Sequence, residues 1–283
     1  MSRTSERDIR AMLASVIASD DEVILVYSGL RSFAHRLPWA PRAVAEELLL
    51  LMRDVIGEKR TLIFPTYTFA YCSSRRFDVR RSPAETGILA QAALGRPGML
   101  RSPRPIYSYA ACGPRAQEIR DLPATTSWGD DGPMAWMYSQ DCRIVVLGVP
   151  WHLSCSFIHR AEEMLRVRYR YFKRFPGVLL ADGVEQGPVA ETMYVRSAAV
   201  PPAFDYRPAS LAIAATPSFL ASGDPRLPAE SARARDVLDA SLACLLDNPF
   251  AFVSNRGEVA DWIATGREQE IAGLASDEQA GTA

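Results

Sequence analysis

The stretch EVILVYSGL, residues 22–30, carries five consecutive apolar or aromatic residues and stops on Ser28-Gly29. A continuous run of this length, closed by small polar residues, is the pattern of a strand buried on both faces. On its N-terminal side, TSERDIRAMLASVIAS reads as an amphipathic helix. A Ser/Thr cap opens it, acids fill its first turn, and apolar residues recur at Ile9, Leu13 and Ile17. On the other side, PRAVAEELLLLMRDVIG (residues 41–57) reads as a second helix, with Pro41 near its first turn and Gly57 past its end. RTLIFPTYTF (60–69) is then a second buried strand, stopped by Pro65.

Helix, strand, helix, strand at this spacing predicts a parallel sheet. The pattern returns in SQDCRIVVLGVP, with a strand over residues 144–149. Between them, TGILAQAALGRPG reads as a helix ending near Gly95, and PIYSYAACG as a short strand. Beyond Lys173 the texture changes. VLLADGVEQGPV reads as a hairpin, ETMYVRSAAV as a strand and SARARDVLDASLACLLDNP as a late helix. The expected fold is α/β: a central, largely parallel sheet flanked by helices, with antiparallel additions late in the chain. No Gly-, Ser- or Pro-rich linker interrupts it. A single domain is expected over residues 1–270, with residues 271–283 a disordered tail.

Composition narrows the function classes. Of 283 residues, 48% are hydrophobic and 23% charged, which suits a globular protein with a substantial core. With a formal net charge of −1, no global field recruits nucleic acid or an anionic membrane. The longest apolar run, LLLLM at 48–52, is far too short to span a bilayer. The N-terminus, MSRTSERDIRAML, has no apolar signal core. The five cysteines form no CxxC pair, which argues against a disulfide framework or a zinc site and makes a reducing cytoplasm the default; no metal is expected.

In open α/β sheets, ligands sit beyond the carboxyl ends of the strands. Three such ends carry small or polar residues: Tyr27-Ser28-Gly29, Pro65-Thr66-Tyr67-Thr68 and Gly148-Val149-Pro150. The third leads into SCSFIHRAEEMLRVRYRYFKRF (154–175), which holds His159, one of three histidines, and Glu162 three residues on. Residues three apart share a helix face. A histidine there is either a proton acceptor backed by a carboxylate or a half-buried core residue beside a solvent-facing acid. Any single hydroxyl at a strand end is either a site residue or the cap of the next helix.

Read in order, VYSGLRSFAHRL, GEKRTLIFPTYTF, FDVRRSPAETGILAQAALGRPGMLRSPRPIYSYAACGPRA, VVLGV and SFIHRAEEML resemble the blocks of the aminoglycoside 3-N-acetyltransferase, or antibiotic N-acetyltransferase, family over residues 20–175. That family is distinct from the GNAT acetyltransferases. The resemblance implies direct transfer of an acetyl or similar short acyl group from acetyl-CoA, the co-substrate, to an amine of a small molecule. It puts His159 and Glu162 in the place of the family's catalytic pair. It lays Ser28 along the CoA arm, and it aligns Thr66 and Thr68 with the PTYT block. Ser102 and Ser108 fall in the following block, either touching CoA or serving as turn residues. Arg75 and Arg76, with Arg80 and Arg81, lie in a polar stretch expected to be a loop. They suit the CoA phosphates, or they are a solvated basic loop. Cys155 reads as packing, His152 as a second titrating group, and the acids of GDDGP (129–133) as a turn rather than a metal site.

The chain also departs from the family pattern. Tyr27 stands in place of the His of HSSL, and Gly29 in place of its second Ser. WHLSCS (151–156) stands where members acting on aminoglycosides usually carry an acidic YDSNTS, and the helix that follows is expected to be basic through Arg160, Arg166, Arg168, Arg170, Lys173 and Arg174. Both features point to an amine on a neutral or anionic molecule, unless some of these arginines serve CoA or a dimer contact. Trp151, Tyr169 and Tyr171 either floor an acceptor pocket or pack the core. The alternative to a CoA enzyme is an altered-donor or non-catalytic member that binds an acyl carrier protein or another partner. The oligomeric state stays open, a homodimer included.

Overall fold

The computed structural model describes residues 3–266. The elements run α1 (Glu6–Val16), β1 (Val23–Ser28), α2 (Val44–Ile56), β2 (Thr61–Pro65), α3 (Tyr71–Ser74), β3 (Arg76–Asp78), α4 (Ile88–Leu94), β4 (Leu100–Arg101) and β5 (Tyr109–Cys112). They continue with α5 (Ala116–Asp121), α6 (Pro133–Ser139), β6 (Arg143–Leu147), α7 (Trp151–Ser154), α8 (Phe157–Met164), β7 (Arg170–Ala181) and β8 (Val184–Arg196). The last are α9 (Arg207–Ala214), β9 (Leu220–Ala221), β10 (Ala229–Arg233), α10 (Ala234–Asp247) and α11 (Arg256–Ala264). The tail expected at 271–283 lies outside the described residues. Among the described residues, no helix is long and apolar enough to cross a membrane.

The main sheet has seven strands in the order β4-β5-β2-β1-β6-β10-β9. Its centre, β2-β1-β6, is parallel, as the apolar runs predict. Antiparallel strands flank it on both sides: β5 and β4 against β2, β10 and β9 against β6. Those at β4 and β5 come from mid-chain rather than from its end.

The central runs are continuous because each face has its own core. Val23, Leu25, Tyr27, Ile63, Ile144 and Val146 pack on one side with α6, α8 and α10. Ile24, Val26, Leu62, Phe64, Val145 and Leu147 pack on the other, beneath α1, α2 and α4. Helix α1 starts on a reciprocal cap: the Asp8 N–H donates to Ser5 Oγ, and the Ser5 N–H to Asp8 Oδ2 at 2.7 Å. A second sheet, β3-β7-β8, is dominated by the expected hairpin, which extends well beyond its turn at Asp182-Gly183. Both turn residues have positive φ, the geometry that matches strand twist.

Three expectations are corrected here. The sequence pattern puts residues 231–233 in the late helix, but they form β10 against β6, and the helix opens at Ala234. The basic helix after His159 ends at Met164, and Arg170, Lys173 and Arg174 lie on β7. The polar stretch at 75–76 is not a loop: Arg75 caps α3 and Arg76 opens β3, paired with Val178.

The end of β6 is unusually tight. Gly148 has φ +65, and a Cβ there would lie 2.4 Å from the Phe33 ring and 2.8 Å from the Gly29 carbonyl oxygen. The Gly29 N–H in turn donates to the Leu147 carbonyl at 2.8 Å, so two strand ends are fastened together. Gly148→Ala must therefore overpack a rigid contact in a left-handed backbone, and we expect a loss of about 1–3 kcal/mol or more. Urea melts compare it with Gly223→Ala, where a Cβ meets nothing within 4 Å; equal midpoints for the two variants would refute this account.

Candidate active site

A cleft of about 490 Å³ opens at the carboxyl ends of the parallel strands. Tyr27 and Ser28 at the end of β1, Tyr67 and Phe69 after β2, and Val149 after β6 supply one side, while His152, Ser156, His159 and Tyr206 come from later segments. Tight strand ends and short helices are what a sheet of this kind offers a ligand.

His159 sits on α8, whose apolar face carries the fully buried Phe157, Ile158 and Ala161 into the core. Its Nδ1 lies 2.8 Å from Glu162 Oε2, the contact that a three-residue helical spacing allows. Glu162 is fully buried, yet it has a complete set of partners. Arg170 Nη2 reaches the same oxygen at 3.0 Å, and the Tyr169 hydroxyl donates to Oε1 at 3.0 Å. The Tyr206 hydroxyl stands 3.4 Å from Oε2 and accepts from Arg170 at 2.9 Å. Arg170 also donates to the Tyr194 carbonyl at 3.1 Å.

The electrostatics follow. Burial works against the Glu162 charge, but the Arg170 guanidinium and the His159 hydrogen bond outweigh it and hold the carboxyl below its ordinary value. Burial pushes the His159 imidazole below its usual range, against the opposing pull of Glu162. The arrangement is a neutral imidazole with Nδ1–H donated to a carboxylate. Nε2 then keeps its lone pair and has no hydrogen-bond partner among the described residues. The ring is held by Trp128, with centroids 5.0 Å apart, and by Tyr206 at 5.3 Å, edge to face. Because Glu162 titrates lower folded than unfolded, its contribution to stability is complete above 4.5 and is lost as pH falls from there through the folded value.

The other predicted site residues separate into groups. Ser28 lines the cleft. Thr66, Thr68, Ser102 and Ser108 do not; all four are buried. Arg101 donates to the Ser108 hydroxyl at 3.0 Å, to the Thr66 carbonyl at 2.7 Å and to the Thr68 hydroxyl at 2.9 Å. Ser102 Oγ accepts the Tyr109 N–H at 3.0 Å. These hydroxyls are committed to holding β2, β4 and β5 together. Arg75 and Arg76 are also away from the cleft: the Arg75 guanidinium lies over Phe175 at 5.1 Å. Arg80 and Arg81 face Asp182, at 3.2 and 3.9 Å.

The acids of GDDGP are engaged locally, Asp131 with Thr125 and Asp130 with Arg160. Among the described residues, no group of three or more His, Cys, Asp or Glu side chains could hold a metal ion. Cys155 lines the cleft, but burial pushes its thiol up to about 12, so it is no nucleophile at neutral pH. Trp151 and Tyr169 are core residues.

The basic run supplies a further correction. Arg160 donates to the carbonyls of Trp128 and Gly129, and Arg170 is spent on Glu162, so neither presents positive charge to the cleft. Sequence reasoning missed Arg170, Tyr206 and Trp128 as supports of the dyad. Their available signal was weak: an arginine inside an aromatic run implies a buried guanidinium, which requires a carboxylate partner.

A family model described as aminoglycoside 3-N-acetyltransferase matches residues 25–206, and the chain belongs to that family. It is 30% identical over 158 residues to aminoglycoside N(3)-acetyltransferase VII of Streptomyces paromomycinus, covering 49% of this chain and 54% of that one. It is 29% identical over 150 residues to aminoglycoside N(3)-acetyltransferase IV of Salmonella sp, covering 52% and 54%. The chain thus spans about half the length of these curated relatives. In fold it is similar to apo aminoglycoside acetyltransferase AAC(3)-IVa, with TM-score 0.71, 22% identity, and 89% and 92% of the two chains covered. It is also similar to AAC-IIIb solved with CoASH, with TM-score 0.72, 19% identity, and 89% and 99% covered.

Arg170→Met tests the electrostatic reading. Removing one partner of a buried pair strands the other, and we expect a loss of about 3–5 kcal/mol. The Arg170 charge also holds the His159 pKa down. NMR titration of the imidazole in the variant should therefore show a higher pKa wherever Glu162 stays ionised, and an unmoved titration would refute the assignment.

Proposed function

We propose that the protein is a CoA-dependent N-acetyltransferase that moves an acetyl group from acetyl-CoA to an amine of a small molecule. The observation that carries this reading is the buried His159–Glu162 dyad, with its free nitrogen at a cleft beyond the parallel strands. Family membership supports it, as does the solution of a structural neighbour with CoASH.

An alkylammonium ion is no nucleophile until it loses a proton. The ammonium proton goes to solvent; as the neutral amine then bonds to the thioester carbon, His159 Nε2 takes the second proton its nitrogen must lose, and Glu162 stabilises the resulting imidazolium through Nδ1–H. When the C–S bond breaks, the imidazolium can return the proton to the leaving thiolate. Assistance of this kind is worth on the order of 10²–10⁴-fold in rate. Ser28 lies along the donor arm in this reading. Thr66, Thr68, Ser102 and Ser108 act behind it, fixing the strand ends.

The acceptor, in this reading, carries few positive charges. His152, Leu153, Ser154, Cys155 and Ser156 line the cleft without a carboxylate. Glu85 is the one acid among the lining residues, and its Oε1 already accepts the Ala70 N–H at 2.9 Å. The charge argument now rests on this lining alone, since Arg160 and Arg170 are internal and Arg166, Arg168 and Arg174 are exposed outside the cleft lining.

Two measurements check the proposal. In single-turnover kinetics with saturating amine, His159→Ala should lose at least about 10²-fold with acetyl-CoA affinity nearly unchanged, and Glu162→Gln should lose less. The wild-type rate should fall only below the ordinary imidazole range of about 6.5, because the depressed pKa leaves the base neutral at higher pH. A His159→Ala variant that keeps its rate while melting several degrees lower would make the histidine a core residue. Second, an acetylation screen should give little turnover of gentamicin-like polycations relative to monocationic or anionic amines. Comparable turnover would overturn the charge argument, and tight binding of an acyl carrier protein with none of CoA would overturn the donor.

A further inference from the structure

Three phenols meet on the strand side of the cleft. Tyr27 ends β1, Tyr67 follows β2, and Tyr109 opens β5; each is 5% exposed or less. The Tyr67 and Tyr109 hydroxyls are 2.9 Å apart, and those of Tyr27 and Tyr67 are 3.4 Å apart. Tyr27 and Tyr67 line the cleft, whereas Tyr109 lies behind them, fully buried.

Each phenol has one proton to donate. The Tyr109 hydroxyl has no acceptor but Tyr67 among the described residues. A buried donor left unused costs about 1–3 kcal/mol, so the Tyr109 proton goes to Tyr67. Tyr67 is next to Tyr27 in the chain of hydroxyls, and either of the two can be the donor in their contact. That leaves the proton of Tyr27. A good O–H···O bond is about 2.5–3.0 Å, so the 3.4 Å contact does not commit it to Tyr67. The Tyr27 hydroxyl is therefore the most weakly held donor of the three, fixed on a rigid strand end in the same cleft as His159, where a stronger acceptor can take its hydrogen bond.

We propose that the Tyr27 hydroxyl is a catalytic hydrogen-bond donor to the thioester oxygen of the acyl donor, with Tyr67 and Tyr109 the positioning residues that aim it. The assignment rests on the N-acetyltransferase reading. As the amine nitrogen bonds to the carbonyl carbon, the π electron pair moves to oxygen. Tyr27 O–H stabilises that charge without giving up its proton. The amine proton passes to His159 Nε2. The electron pair then returns, the C–S bond breaks, and the thiolate takes the proton from the imidazolium. Tyr27 suits a donor rather than an acid because burial, with the neighbouring Tyr67 and Tyr109, pushes its phenol well above the ordinary value and keeps it protonated. A donor placed where charge develops is usually worth 10²–10³-fold in kcat.

The test reads binding and turnover separately. In infrared difference spectra with acetyl-CoA labelled with ¹³C at the carbonyl, the bound thioester stretch of the wild type should fall below that of the free compound. Tyr27→Phe keeps the ring, and it should return the band toward the free value. It should also lower kcat by about 10²–10³-fold while changing the acetyl-CoA Kd no more than a few-fold. Tyr109→Phe leaves the donor but removes its aim, and it should lose part of the shift. A band unmoved by Tyr27→Phe, with kcat within threefold of wild type, overturns the donor assignment alone. A wild-type protein that does not bind acetyl-CoA overturns the N-acetyltransferase reading and this assignment together.

Discussion

The contact between Arg170 and Glu162 organises the site. It joins α8 to β7, so the helix carrying the histidine is fastened to the long hairpin by charge. Both side chains are almost wholly buried, at 6% and 0% exposed, so each charge depends on the other for compensation. Arg170 is also held between rings, 4.6 Å from the Phe204 centroid and 5.9 Å from that of Trp128. A buried pair of this kind adds little net stability compared with apolar residues of the same shape. What it does here is fix a negative carboxylate under Nδ1 of His159, and with it the tautomer that leaves Nε2 basic.

A second buried carboxylate shapes the opposite wall. Glu191 on β8 accepts from Arg104 at 3.0 Å, from the Ile106 N–H at 2.7 Å and from Ser127 at 2.7 Å. It ties the segments that present Tyr107 and Trp128. Those rings pack in sequence toward the histidine: Tyr107 edge to face with Trp128 at 5.3 Å, and Trp128 tilted against His159 at 5.0 Å. The hairpin therefore supports the site twice without supplying a residue that lines the cleft. Its expected role as a late addition understated its structural work.

The parallel core was legible because its strands are buried on both faces, and a run such as RIVVL has few other uses. The dyad was legible because a helix puts residues three apart together. What failed has a common cause. The AESAR segment has the composition of a helix, and only pairing with β6 makes it a strand. The arginines between 160 and 174 are visible as charge, but whether a guanidinium meets a ligand, a carbonyl or a buried carboxylate depends on contacts far apart in sequence.

The threonines of the PTYT block show how a stricter reading of periodicity would have narrowed the choice. Alternate residues of an extended segment face opposite sides. Val23, Leu25 and Tyr27 pack on the α8 side of the sheet, and Ile63 of β2 shares that side. Carried past Pro65, the same phase assigns Tyr67 to the cleft and sets Thr66 and Thr68 out of phase with it, where Arg101 receives them. At the end of β1, Tyr27 faces the same way as Tyr67, which is why their hydroxyls can meet. Hydroxyl chemistry drew attention to the threonines, but the period of two selects the tyrosines. The strand phase that builds the core thus also decides which phenols can reach a substrate.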